Sequence, residues 1–377
     1  MRIAIFTDSF LPGTGGTEQA VKRLATALSK TDEVMVCAPD YHTNFDDSSS
    51  FPFKVARAKS IKLTSNDFWA RPFYSRKFKK TLEEFQPDVI HCNHWGMMSG
   101  YANHYAKKHN VPLVYTVHTK FKYCHDYSFK LGFISNLIIK NCLRRLKKAN
   151  LVTTVSNSMA EELKKYGYKG EIKVIRNGGE RLPIVNVKPE KTTKTKDFNF
   201  LFIGLVIKYK NIGFTLQALS LVKQIRSDFK FYVVGSGPSK RGFVKQAKRL
   251  GLSENVVFTG QITDPCKKKE ILSNTDLILF PSIFDSDGLV TLEAKAEGVP
   301  TLVLEGTGAS ERITDGVTGF TSKPTPEDFA KKILALISSP EKLVEVGSSQ
   351  IPICNSWEEI ASEYKAEYKK LIDHKSE

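Results

Sequence analysis

Twice along the chain a short apolar run of β type ends on glycine and gives way to a segment with apolar residues at helical spacing. No other feature restricts the fold as strongly. In the first instance "RIAIFTD" is broken by "LPGTGG" and followed by "TEQAVKRLATALSK", where Val21, Leu24, Ala25 and Leu28 share a helical stripe, and then by "EVMVCAP". Strand, helix and strand in that order call for parallel strands joined by a crossover. The runs "DVIHC" (Asp88 to Cys92), "PLVYTVH" (Pro112 to His118), "LVTTVS" (Leu151 to Ser156) and "IKVIRNG" (Ile172 to Gly178) continue the series.

The polar, Lys/Thr-rich stretch "NGGERLPIVNVKPEKTTKTKD" has no periodicity, and after it the pattern restarts. The strands "NFLFIGLV", "FKFYVVGSG", "VVFTGQI", "DLILFPS" and "PTLVLEG" alternate with the helices "NIGFTLQALSLVKQI", "GFVKQAKRLG" and "GLVTLEAKAEG". A length of 377 residues suits two domains. The expected fold class is therefore α/β, with two tandem Rossmann-like doubly wound domains at 1–183 and 198–354 and a linker at 184–197. Ligands are expected in a cleft facing the carboxyl ends of the strands.

Charge indicates the kind of partner. The 56 Lys and Arg outnumber the 40 Asp and Glu, giving +16 and an isoelectric point near 9.4. Such a surface favours nucleotide phosphates, acidic lipid headgroups or nucleic acid. A nucleic-acid role has only this charge behind it, since no helix-turn-helix, zinc or RNA-recognition pattern is present. Six scattered cysteines without a CxxC pair imply reduced thiols, and "MRIAIFTDSF" is too short an apolar run for a signal peptide. A cytoplasmic protein is expected, with peripheral membrane contact left open.

Several segments carry candidate chemistry. "PGTGGTE" joins a strand to a helix, where bare amides and the helix start form an anion site; a tight turn needing positive φ is the alternative. "VVGSGPSK" repeats the arrangement around Gly235, and "GLVIKYKN" places Lys208 and Lys210 just past a strand, within reach of a phosphate. In "FDSDGLVTLEAKAEG", Asp285 or Asp287 can cap the following helix. Glu293 stands among Leu289, Val290, Leu292 and Ala294, so it reads as a carboxylate on a largely buried helix that needs a partner. His118 ends a buried-looking strand and so should point at the cleft. The pairs "HCNH" and "HTKFKYCH" lack zinc-ligand spacing, and no metal site is expected.

Between Lys120 and Lys148 there are eight Lys or Arg and one acid, Asp126. Within it "FISNLIIKNCLRRLKK" places Phe133, Ile134, Leu137, Ile138 and Cys142 on one stripe, with Lys140, Arg144, Lys147 and Lys148 elsewhere. A basic amphipathic helix of this kind can lie on an anionic membrane, or pack on a core with a solvated basic face. "ARPFYSRKFKK" similarly interleaves aromatic and basic residues. Lys140, Arg144 and Arg145 are the membrane candidates.

In order, "GGTE", "NGGE", "GLVIKYKN", "VVGSGP", "VVFTGQI" and "DGLVTLEAKAEGVPTLV" make a set that resembles the family 4 glycosyltransferases of the GT-B fold over essentially the whole chain. The ending "NSWEEIASEYKAEYKKLI" is similar to that family's closing helix, which implies that 355–377 crosses back to the first domain. The resemblance implies a retaining transfer of a hexose from a nucleotide-sugar, with a UDP-sugar as the implied donor, without a metal. It implies an acceptor-binding first domain and a donor-binding second one. It gives Glu293 the ribose hydroxyls, Asp285 the hydroxyls of the donor sugar, Lys210 a phosphate and His118 the transferred sugar. No side chain is assigned as nucleophile. The amides of Gly288, Leu289 and Val290 would meet the distal phosphate, the backbone of Gln261 and Ile262 the base, and Gly15 and Gly16 would belong to a loop closing over the substrates.

Two positions depart from the family pattern. Leu205 stands where the family has Arg, and Asp285 where it has Glu; both motivate an alternative, a weakly active or inactive subunit that activates a partner glycosyltransferase. "HTKFKYCHDYSF" is similar to a segment of the diacylglycerol glucosyltransferases, which makes Lys120, Phe121 and Tyr123 acceptor candidates. The implied acceptor is membrane-associated, a glycolipid precursor or a lipid-linked cell-envelope glycan.

Overall fold

A computed structural model describes residues 1–13, 15–42, 47–62, 68–121, 132–179, 197–262, 264–349 and 355–375. The chain divides into two compact units, Met1–Gly178 with Asn355–Glu377, and Gly179–Cys354. Each is built around its own parallel sheet. The region expected to be a linker lies almost entirely outside the described residues.

The first unit contains β1 (Arg2–Phe6), α1 (Gly16–Leu28), β2 (Glu33–Pro39), α2 (Asp47–Ser50), β3 (Lys54–Ala58), β4 (Ser60–Lys62), β5 (Phe68–Ala70), α3 (Arg76–Phe85), β6 (Val89–Cys92), α4 (Met97–His109), β7 (Leu113–Val117), α5 (Gly132–Leu146), β8 (Leu151–Thr154), α6 (Asn157–Lys165) and β9 (Lys173–Val174). The second contains β10 (Phe198–Ile203), α7 (Ile212–Ile225), β11 (Phe229–Val234), α8 (Lys240–Arg249), β12 (Val256–Gly260), α9 (Pro265–Ser273), β13 (Leu277–Phe280), α10 (Leu289–Ala296), β14 (Thr301–Leu304), β15 (Phe320–Ser322), α11 (Pro326–Ile337) and α12 (Pro340–Ser348). The closing helix, α13 (Trp357–Asp373), belongs to the first unit.

Sheet order in the first unit is β3-β2-β1-β6-β7-β8-β9, and in the second β12-β11-β10-β13-β14-β15. Both reverse direction of progression at their first strand, which is the doubly wound pattern. β1 shows why the strands are so apolar. Ile3 and Ile5 enter the core shared with α1 and α13, while Ala4 and Phe6 enter the opposite one with α3, α4 and α5.

α13 starts with a capping box between Ser356 and Glu359 and buries Trp357, Ile360, Tyr364 and Tyr368 beside α1. It is also fixed by buried hydrogen bonds. His91 on β6 reaches Tyr368 Oη through Nδ1 at 2.6 Å and Thr116 Oγ1 through Nε2 at 2.7 Å, and Thr116 in turn meets Thr153 and Tyr364. Both ring nitrogens of His91 are thus engaged, which accounts for this histidine without a metal. Burial pushes its pKa down to about 3.

In the second unit the loops after the strands interlock through glycine. Gly235 follows β11 at φ +142°, and a Cβ there would lie 1.8 Å from the carbonyl oxygen of Gly204, the residue after β10. Asp287 and Arg312 form a buried clamp nearby. Nη2 and Nε of Arg312 donate to the Asp287 carboxylate at 2.7 and 2.9 Å, and both side chains are at most 2% exposed. Asp287 is therefore committed to Arg312.

Two stability changes follow from these networks. Tyr368→Phe strands a nitrogen of buried His91 and should cost the first unit about 1–3 kcal/mol in urea unfolding. Because the folded His91 pKa lies below its ordinary 6.5, the folded state binds fewer protons. That stability is full above pH 6.5 and declines as pH falls towards about 3. In the second unit Arg312→Met leaves Asp287 buried and alone, an expected loss of about 3–5 kcal/mol. Arg312→Met combined with Asp287→Leu should recover most of it; an equal loss in the double variant would show that the ion pair is not the cause.

Candidate active site

In a doubly wound sheet the loops after the two strands flanking the reversal point leave a crevice between them. In the second unit those strands are β10 and β13. Lys210 lies in the loop after β10 and Asp285 in the loop after β13, and the two meet as an ion pair from Nζ to Oδ2. The side chain of Asn211, next to Lys210, donates to the Pro281 carbonyl at 3.2 Å, so the loops are tied twice. Lys210 Nζ also lies 5.2 Å from the centre of the Phe280 ring.

Asp285 has a second role. Its Oδ1 accepts the amides of Gly288 at 2.7 Å and of Asp287 at 3.3 Å. Burial pushes the carboxyl up, but Lys210 and these amides outweigh it and hold Asp285 below the ordinary carboxylate value of 3.8. It is ionised at neutral pH, an acceptor fixed between a cation and a loop. Its two roles thus combine, since Asp285 orders the backbone at the start of α10 while holding Lys210.

The Gly288 amide, expected to be available to a phosphate, is occupied by Asp285. Leu289 and Val290, the first residues of α10, keep their amides at the helix start, where no intrahelical partner exists. Gly288 itself needs glycine: φ is +68°, and a Cβ would lie 2.7 Å from that of Ala309.

Glu293 corrects a second expectation. It is not largely buried; its side chain is 31% exposed and accepts a 2.7 Å hydrogen bond from Lys268 of α9. The required partner exists, but at the surface of the unit. Of the remaining candidates here, Lys208, Leu205 and Gln261 are exposed and Ile262 packs on the core. Leu205, 52% exposed, presents an apolar side chain where the family pattern has a guanidinium.

The first unit repeats the construction. Asp8, after β1, accepts the amides of Gly96 at 2.7 Å and Met98 at 2.8 Å at the start of α4, which follows β6. Thr7 meets His94 at 2.9 Å. His118, just past β7, is buried with Nε2 2.8 Å from Asn93 Oδ1, and burial followed by the neighbouring His94 and His91 lowers its pKa to about 3. It is a neutral imidazole.

Gly15 caps α1 in extended conformation, and neither it nor Gly13 nor Gly16 has positive φ, so the turn alternative does not apply. A Cβ on Gly15 would lie 2.3 Å from Oε2 of Glu18, whose carboxylate covers the helix start. The anion-site reading of this loop therefore meets a built-in carboxylate.

The acceptor and membrane candidates separate. Lys120 and Phe121 are buried, 7% and 2% exposed, and Tyr123 lies outside the described residues. On α5 the buried stripe is Ser135, Ile139, Cys142 and Leu146, whereas Leu137, Lys140 and Arg144 are exposed together. Arg145 turns inward, Nη1 donating to the carbonyls of Trp95, at 2.6 Å, and Gly96. Of the three membrane candidates, Lys140 and Arg144 are exposed, as are Lys147 and Lys148 beyond them, while Arg145 is not. Among the described residues no group of three or more metal-ligating side chains forms; Cys124 and His125 fall outside them.

Comparison with known proteins fits this geometry. A family profile described as "Glycosyltransferase Family 4" matches residues 14–179, and one described as "Glycosyl transferases group 1" matches residues 185–350. Alpha-monoglucosyldiacylglycerol synthase of Streptococcus pneumoniae is 26% identical over 92% of this chain and 83% of its own, and the Acholeplasma laidlawii enzyme of the same name is 23% identical over 91% and 90%. Glycogen synthase of Mycobacterium tuberculosis is 26% identical over 86% and 83%. Among solved structures, Anabaena HepE in complex with UDP and glucose superposes with a TM-score of 0.76 at 19% identity, covering 97% of this chain and 99% of that one. Sucrose-phosphate synthase of Thermosynechococcus elongatus also gives 0.76, at 18% identity and 99% of each chain. With both halves matched in order and the fold shared, the chain belongs to the family 4 glycosyltransferases and is a glycosyltransferase of the GT-B fold.

Proposed function

We propose that the protein is a retaining hexosyltransferase that takes a UDP-sugar in its second unit and transfers the sugar to a membrane-associated acceptor, a glycolipid precursor or a lipid-linked glycan of the cell envelope. The observation that carries this reading is the Lys210–Asp285 pair joining the two loops at the sheet reversal, with the start of α10 ordered beside it. Such a site favours a diphosphate: Lys210 supplies a point charge, and the amides of Leu289 and Val290 supply donors at a helix start. As the sugar leaves, negative charge grows on the nucleotide diphosphate, and fixed donors stabilise it without a metal. Glu293, paired with Lys268, would accept the ribose hydroxyls, and Asp285 those of the sugar. Gly235, Gln261 and Ile262 would line the base and Gly15 and Gly16 the closing loop, with Lys208 as a second cation in place of the Arg that Leu205 replaces. His118, neutral and anchored by Asn93, would contact the transferred sugar from the first unit.

The UDP complexes of HepE support the donor class, and the similarity to two alpha-monoglucosyldiacylglycerol synthases supports a lipid acceptor. No helix is long and apolar enough to cross a membrane among the described residues. Exposed Lys140, Arg144 and Leu137 favour peripheral attachment on the cytoplasmic side. Leu205 favours a second reading, a weakly active or inactive subunit acting with a partner glycosyltransferase.

Purified protein with UDP-glucose, UDP-galactose, UDP-N-acetylglucosamine or GDP-mannose, and diacylglycerol in anionic vesicles, separates the two. The first reading predicts turnover of a UDP-sugar that persists in EDTA, with product of the donor's anomeric configuration by NMR. UDP binding without turnover of any donor favours the second. Glu293→Ala should lower kcat/KM about tenfold to a hundredfold, as expected for a lost hydrogen bond to a charged group. Unchanged turnover in this variant would remove Glu293 from the donor site.

A further inference from the structure

A cavity of about 680 Å³ opens in the first unit between α4 and α5, and neither His118 nor Asp8 lines it. Lys107, Arg144, Arg145 and Lys148 line it together with His104, and no Asp or Glu does. Ordinary helix-end compensation places cations in the last turn of a helix. It does not account for how these are paired. In the last turn of α4, Lys108 and His109 both take Glu83, at 3.4 and 3.2 Å, while Lys107 faces the cavity.

The ammonium groups of Lys107 and Lys148 have no hydrogen-bond or ion-pair partner among the described residues. Arg145 is anchored through Nη1 to the carbonyls of Trp95 and Gly96, which fixes its guanidinium in the wall. Gly100 makes room for it, since a Cβ there would sit 3.2 Å from Nη2. Phe73, 39% exposed, and Met97 give the cavity an apolar edge.

We infer that this cavity is a binding site for a phosphate ester, held by the anchored guanidinium of Arg145 together with that of Arg144, and by the ammonium groups of Lys107 and Lys148 as point charges. The ligand is either a phospholipid headgroup or a soluble phosphorylated metabolite; the chemistry recognised is the same. None of the residues that line it is assigned to the donor site.

The test uses the full chain and the double variant Lys107→Gln/Lys148→Gln, with Lys164→Gln/Lys165→Gln on α6 as a charge-matched control. Glycerol 3-phosphate is titrated by calorimetry, and sedimentation is measured with phosphatidylglycerol-containing and pure phosphatidylcholine vesicles. UDP titration reports whether each variant keeps the second unit intact, and far-UV melting reports whether the chain as a whole stays folded. A loss of about tenfold or more in affinity for glycerol 3-phosphate, confined to the cavity variant, supports a soluble ligand. The same loss on phosphatidylglycerol vesicles alone supports a lipid headgroup. The proposal is overturned if wild type binds neither probe, if the cavity variant binds both as wild type does, or if the control variant loses as much.

Discussion

The contact between Lys210 and Asp285 organises the second unit's site. It bridges the loops after β10 and β13, the two strands at which the sheet reverses, and both side chains are only 16% exposed. A pair this sheltered costs desolvation, which is recovered only when further hydrogen bonds satisfy the carboxylate. Asp285 has them in the amides of Gly288 and Asp287, so the same carboxylate that holds the lysine sets the start of α10. Arg312 locks the other acid of the loop, Asp287, from behind. A single aspartate thereby positions a cation and a helix start, the two features a diphosphate requires.

The first unit reaches a comparable result by other means. Asp8 joins the loops after β1 and β6 by capping α4, and no lysine takes part in that contact. At the start of its helix α1 the carboxylate of Glu18 lies against Gly15. The same topology thus brings a lysine to the strand-end loops of one unit and a capping aspartate with no lysine to those of the other. This difference is consistent with assigning the nucleotide diphosphate to the second.

The repeated strand, glycine and helix pattern made the doubly wound fold readable from the sequence, because buried parallel strands are nearly continuous apolar runs. What it did not reveal was short or lay at the edges: β3, the β4–β5 pair and the three-residue β15 have no comparable run. The helix α11 does carry a local start signal, with Thr325 as its cap and Pro326 as its first residue. Glu293 shares its helix face with Leu289 and Val290, which are themselves only half-buried, whereas the buried Leu292 and Ala294 beside it in the sequence lie on other faces. On α5 the buried stripe likewise differs in phase from the expected one and consists of Ser135, Ile139, Cys142 and Leu146. Lys268 and Arg312, partners of Glu293 and Asp287, lie 25 residues away in the chain, too far for any local spacing to announce them.

The central claim is that the pair at the sheet reversal holds a nucleotide diphosphate, and a calorimetric titration of UDP into wild type and Lys210→Met tests it most directly. The account predicts one UDP bound per chain to wild type, with affinity falling by about tenfold or more in the variant while cooperative unfolding is retained. Equal UDP affinity in both proteins would contradict it.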